Sequence, residues 1–266
     1  MKNLKDYIIE RQNFLVNKKL KNRQDKYGYH PKTYYELKDI IINLLQKGQT
    51  DLNCIDVSEI TDMSILFYNI NKILPVKDID ISKWDVSNVT DMHGMFDGCK
   101  EFNANLSKWN VSNVTNMNCM FFCCKEFNSD LSSWDVSKVK YMSGMFYNCQ
   151  KFKSVLSNWN VSNVTTTCVM FADCKKFNSD LSKWDVSNVT DMDGMFRRCE
   201  NFNSDLSNWN VSNVNNTFSM FKQCKHFNSD LSNWDVSNVA NMTFMFDDCD
   251  ELEKNNKIPA WYKGKI

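Results

Sequence analysis

The sequence predicts an α/β repeat solenoid with one short strand and one short helix per 25 residues, and three observations predict it. Tryptophan recurs at Trp84, Trp109, Trp134, Trp159, Trp184, Trp209 and Trp234. Cysteine keeps the same step from Cys99 to Cys249, and the pair Met-Phe keeps it from Met95-Phe96 to Met245-Phe246. A fixed period of this size is the mark of an architecture in which each unit buries its apolar face only against its neighbours.

Within one unit, Met92, Met95, Phe96 and Cys99 fall at i, i+3, i+4 and i+7, one face of a helix, and Val89 extends the stripe backwards. Ser87, Asn88 and Thr90 lie where an N-cap belongs. Phe102 to Val111 follows, with Trp109 and Val111 alternating with polar neighbours, which predicts a short strand and its turns. A second period of 50 residues is superposed: the residue after Trp alternates through Asp85, Asn110, Asp135, Asn160, Asp185, Asn210 and Asp235. Coils stacked about 4.8 Å apart would bring carboxylates into a repelling column. Alternation with asparagine spaces the charges and lets each amide donate to a carboxylate.

The ends depart from the unit. Asp56–Phe67 repeats the block with Ile55 in place of Trp, so residues 51–80 are a degenerate first coil and residues 81–250 hold seven full ones. Residues 1–50 are a basic helical head and N-terminal cap. There Thr33 and Glu36 form a capping box, Leu37, Ile40, Ile41, Leu44 and Leu45 make an apolar stripe, and Gly48 stands at C′. In residues 251–266, Leu252 replaces the repeat's Phe and Trp261 arrives two residues late. Pro259, Trp261 and Tyr262 are expected to form a lid.

Composition is that of a folded chain, with 18 Phe and 14 Met against 7 Gly and 3 Pro, which excludes a linker or a disordered tail. The net charge of zero hides a basic head on an acidic body, which reads as a solvated helix surface or an electrostatic partner site. The start, MKNLKDYIIERQ, lacks the apolar region of a signal peptide, and no run approaches a membrane span. A cytoplasmic protein is the expectation.

The motifs WDVSNVTDM, Met-Phe, the cysteine three residues later and FNSDLS resemble the BspA-like leucine-rich repeats of bacterial surface proteins, in the 25-residue form of mycoplasma-type lipoproteins. The resemblance spans roughly residues 29–262. It implies a leucine-rich-repeat-like, right-handed stack used for adhesion or protein contact, with no catalytic residues to carry over.

Chemistry is sparse. The seven ladder cysteines read as buried reduced thiols, because stacked Cβ vectors point the same way and bridge poorly; Cys54, Cys119, Cys123 and Cys168 lie off the ladder. The methionines read as core. Asp180, Asp205 and Asp230 could in principle gather calcium, but the glycine-rich turns of calcium-binding repeats are absent. The asparagine columns through Asn88 and Asn103 are expected to bond turn backbone. His30, His93 and His226 share no motif, and no P-loop, nucleophile elbow or HExxH occurs. No enzyme, metal or cofactor is expected.

Binding is expected where coils disagree on a constant scaffold. Two sets vary: the pair after Met-Phe, from Asp97-Gly98 to Asp247-Asp248, and the single position from His93 to Thr243. Free drift at unconstrained positions is the bland alternative. The named candidates are Phe122 and Tyr147 as apolar anchors, and Arg197, Arg198 and Lys222 as cations, with Arg197 and Arg198 meeting an acidic patch on a protein partner. The expected function is an intracellular protein-interaction scaffold; the alternative is a surface adhesin exported without a recognisable signal. Nucleic acid ranks third, since the head has no clustered basic-aromatic module.

Overall fold

The computed structural model describes residues 26–264. The basic head is therefore described only from Lys26, and the expectations placed on residues 1–25 lie outside the described residues. Among the described residues there are three helices: α1 (Tyr34–Gln46), α2 (Leu66–Asn71) and α3 (Asp250–Lys254). Everything between α2 and α3 is a stack of turn-built coils, joined by parallel single-residue bridges that step through Asp91, Asn116, Tyr141, Thr166, Asp191, Asn216 and Asn241.

The start of α1 follows from its first residues. The Thr33 hydroxyl accepts the Glu36 N–H at 3.2 Å, and the Glu36 carboxylate accepts the Thr33 N–H, closing a capping box. Gly48, at φ 78, ends the helix, with Gln49 N–H donating to the Leu44 carbonyl at 3.0 Å. This is the closure that left-handed glycine permits. Leu37, Ile41 and Leu44 are buried on the first coil.

Within the repeats, the segment expected to be helical is a succession of tight turns. Met95 N–H donates to Met92 O, Asp97 N–H to Gly94 O and Cys99 N–H to Phe96 O, each three residues back. Gly94 and Gly98 take left-handed φ values of 56° and 71°. The remaining N–H groups leave the coil: Met92, Gly94, Phe96 and Gly98 donate to the carbonyls of Asn116, Asn118, Met120 and Phe122, one coil on, at 2.8–3.0 Å. A helix would need those donors internally, and the neighbouring coil takes them instead. The turns still bury Met92, Met95, Phe96 and Cys99, so their spacing imitates a helix face. The expected strand over Phe102–Val111 is irregular backbone with one turn, in which Trp109 N–H donates to Leu106 O at 3.0 Å, and the parallel pairing sits at Asp91 instead.

On the tryptophan side, side chains join the coils. Trp109 Nε1 donates to Ile81 O and Trp134 Nε1 to Leu106 O, each at 3.0 Å, and Leu106 N–H donates to Ser129 Oγ at 2.9 Å. Nearly parallel rings stack in equivalent positions of successive coils, with centroids 4.4 Å apart for Phe122 and Tyr147, 5.7 Å for Phe121 and Phe146, and 6.4 Å for Trp134 and Trp159. Side chains thus join the coils on the tryptophan side, and on the turn side backbone bonds backbone at strand-like spacing of about 4.8 Å.

The column through Gly94 explains part of the 50-residue period. It reads Ile65, Gly94, Cys119, Gly144, Val169, Gly194, Ser219, Phe244, every member at positive φ. A Cβ on Gly94 would lie 3.1 Å from Ile65 Cγ2, on Gly144 3.2 Å from Cys119 Sγ, and on Gly194 3.1 Å from Val169 Cγ1. From Ile65 to Gly194 a coil with a side chain here is followed by one without, which avoids that crowding; Ser219 followed by Phe244 departs from the alternation.

At the far end, Trp261 continues the tryptophan column, stacked on Trp234 at 6.5 Å with Nε1 donating to Leu231 O at 3.0 Å. Tyr262 meets Phe246 edge-on at 5.0 Å.

Candidate interaction surface

Two inter-coil columns with chemical potential prove to be structural. Each ladder thiol from Cys124 to Cys249 donates to the carbonyl of a phenylalanine in the preceding coil, as Cys174 does to Phe146 O at 2.8 Å. Burial pushes these thiols up, Cys249 to about 12, and raises Cys124, Cys149, Cys199 and Cys224 well above the ordinary thiol range. They stay protonated, which the donor role requires. All eleven cysteines are free, and only Cys54, Cys119, Cys123 and Cys168 are even partly exposed. A thiol reagent is accordingly expected to modify no cysteine beyond these four in the native protein, and all eleven after unfolding, read by mass spectrometry. Rapid native labelling of Cys149 or Cys174 would contradict the ladder's role.

The asparagine column through Asn88 spans coils: Asn113 Nδ2 donates to Ser87 O and Asn163 Nδ2 to Ser137 O, both at 2.7 Å. At the Asp/Asn alternation, the bonds run within the turn, from Ser87 N–H to Asp85 Oδ1 and from Ser112 N–H to Asn110 Oδ1. Either residue type supplies that acceptor, and the amide-to-carboxylate link expected there occurs elsewhere, from Asn116 Nδ2 to Asp91 Oδ2 at 3.1 Å.

Asp180, Asp205 and Asp230 are likewise engaged, each accepting the N–H of the serine two residues on at 2.9–3.0 Å. That N–H, then the serine hydroxyl, holds these carboxyls and Asp130 below the usual aspartate range. A carboxylate lowered by folding adds stability above its unfolded value, near 4, and loses it as pH falls through the folded value. Asp97 and Asp193, raised by burial, act in the opposite sense but are fewer. The melting temperature is expected to hold from pH 7 to about 5 and to fall below about 4; an unchanged melt at pH 3 would refute the role of these turns. Among the described residues, no group of three or more His, Cys, Asp or Glu could hold a metal ion.

The variable positions lie together on the turn edge. Phe122 and Tyr147 are neighbours in one column, both half-buried, with ring centroids 4.4 Å apart. Arg197 and Lys222 continue that column, and Arg198 stands in the next, where every member from Gly98 to Asp248 is left-handed. The scaffold imposes that backbone whatever the side chain, which places the variable groups uniformly. The cations, expected to meet a partner, also face carboxylates of their own chain. Arg198 Nη1 lies 3.5 Å and Arg197 Nη2 4.0 Å from the Asp173 carboxylate, and Lys222 Nζ lies 3.2 Å from Asp247 Oδ2 and 4.8 Å over the Phe244 ring. Arg198 Nε also donates to Gln223 Oε1 at 2.9 Å. The carboxylate that Arg197 and Arg198 face within the chain is that of Asp173, 24 or 25 positions earlier, and only stacking reveals it.

Among the described residues, no helix is long and apolar enough to cross a membrane. No curated protein matches the chain. One family model matches it twice, over residues 37–158 and 152–261, and is described as a Mycoplasma protein of unknown function, DUF285.

Proposed function

The chain belongs to the DUF285 family of Mycoplasma proteins, and from that premise we propose that it is a non-catalytic interaction scaffold, a solenoid of the BspA-like leucine-rich kind that binds a protein along its turn edge. The observation that carries this reading is the segregation of sameness and difference. Trp, Phe, Met, Cys and Asn columns hold the coils in register, while the positions that change from coil to coil sit side by side on one edge, partly exposed. Aromatics and arginine among them are the residue types that dominate binding energy at protein interfaces. Eleven unpaired cysteines, six of them thiol donors to the preceding coil, support a reducing intracellular setting.

The test is a full-length variant with Phe122, Tyr147, Arg197 and Arg198 changed to Ser. It is expected to keep its melting profile within a few degrees and to lose the partner that wild-type protein retains from its own cells. Retention of the same partner would move the site away from this edge. Protease shaving of intact cells separates the intracellular reading from surface adhesion: an exposed adhesin is cleaved, an intracellular scaffold is not.

A further inference from the structure

The polarity of the turn edge names the kind of partner it fits. Its cations face carboxylates of the same chain, Asp173 and Asp247, although the buried Arg197 Nε has no hydrogen-bond partner. Asp97 faces no cation as closely: among the described residues its carboxylate has neither a hydrogen bond nor an ion pair within 4.0 Å. It stands in the same column as Phe122, one coil earlier, and Gly98 N–H donates to Phe122 O at 2.8 Å to hold the two coils together. On the other side of Asp97 the column continues to Tyr68, whose ring face carries the Lys72 ammonium at 3.9 Å. Burial raises the Asp97 carboxyl, and the more distant charges of His93 and Lys72 offset this only in part. A half-buried carboxylate without a close partner is costly, and a cation brought to it relieves that cost.

We propose that the turn edge takes a lysine- or arginine-bearing segment of a protein partner, its cationic head meeting Asp97 and its aliphatic stem lying on the stacked rings of Phe122 and Tyr147. The proposal rests on the turn edge being the interaction surface. The chain displays the same chemistry within itself, where Lys222 sits between the Asp247 carboxylate and the Phe244 ring. Long basic side chains cover apolar surface with their stems and favour aromatic faces with their heads. A row of lysines borders the edge at Lys100, Lys125, Lys175 and Lys225, of which Lys175 is paired with Glu200 at 3.2 Å. None of them is among the charges acting on Asp97.

The experiment uses the full chain and two fluorescein-labelled peptides, one alternating serine with lysine and one alternating serine with glutamate, at about 0.15 M salt, where diffuse surface attraction is screened. The lysine peptide is expected to bind, and Asp97→Asn and Phe122→Ser are each expected to weaken it at least about fivefold. Asp205→Asn, which removes the same charge from another column, should change it by less than about twofold. Each variant's melt confirms that it remains folded. Preferential binding of the glutamate peptide, lost in Arg197→Ser/Arg198→Ser, overturns the proposed polarity and leaves the edge as the interaction surface. Binding of the lysine peptide that no edge variant alters overturns the polarity and counts against the edge as well. If neither peptide binds, the basic-partner proposal fails, and loss of the native partner in the four-serine variant decides the edge independently.

Discussion

Replacing Trp159 by alanine is expected to cost about 3–5 kcal/mol of stability. The side chain is buried, stacked between Trp134 and Trp184 at 6.4 and 6.5 Å, and its Nε1 donates to Leu131 O at 3.0 Å. Alanine leaves a cavity in the middle of the column and takes one of two donors from Leu131 O, which keeps the Trp134 N–H at 3.1 Å. Phenylalanine keeps a ring but not the donor, so Trp159→Phe should lose roughly 0.5–1.5 kcal/mol, the net worth of one hydrogen bond. Because coupling runs only between neighbouring coils, the alanine variant should also unfold over a broader range, or in two steps, under urea. A single sharp transition with an unchanged midpoint would show that the tryptophan column does not carry the coil-to-coil coupling.

Gly194→Ala should cost about 2–4 kcal/mol, far more than an alanine in an ordinary turn. Two causes add. Gly194 has φ 54, where a Cβ is strained, and that Cβ would stand 3.1 Å from Val169 Cγ1 in the coil before. Val169→Ala removes the crowding atom, and it relaxes a β-branched residue held at φ 47. In the double variant the cost should therefore fall by about 1 kcal/mol or more relative to the sum of the single changes. A double-mutant cycle by chemical denaturation measures this coupling. Strict additivity would mean that the glycine is required for its backbone alone and that the alternation of large and small in this column has another origin.

The 25-residue step, the membership of the Trp, Phe, Met and Cys columns, the capping box at Thr33 and Glu36 and the glycine that closes α1 are all legible along the chain. The physical reason is locality: apolar spacing and caps depend on residues a few positions apart, and an unbroken period multiplies a weak local signal seven times. How those residues are backed was not legible. The spacing of Met92, Met95, Phe96 and Cys99 fits a helix, yet the coil makes turns, because the next coil accepts the N–H groups of Met92, Gly94, Phe96 and Gly98 that a helix would have used itself. The cysteine ladder looked like small apolar filling, and its reach to the preceding phenylalanine carbonyl depends on a contact 28 residues away.

The candidate site divides in the same way. That Phe122, Tyr147, Arg197, Arg198 and Lys222 vary against a constant background is a property of the sequence, since comparing coils needs only their alignment with one another. That Phe122 and Tyr147 lie ring on ring, that Arg197 and Arg198 are answered by Asp173, and that Asp97 is left without a close cation are properties of the stack. Electrostatic balance is set by distances across coils, and residues 25 positions apart along the chain become nearest neighbours only when the backbone ladder closes between them.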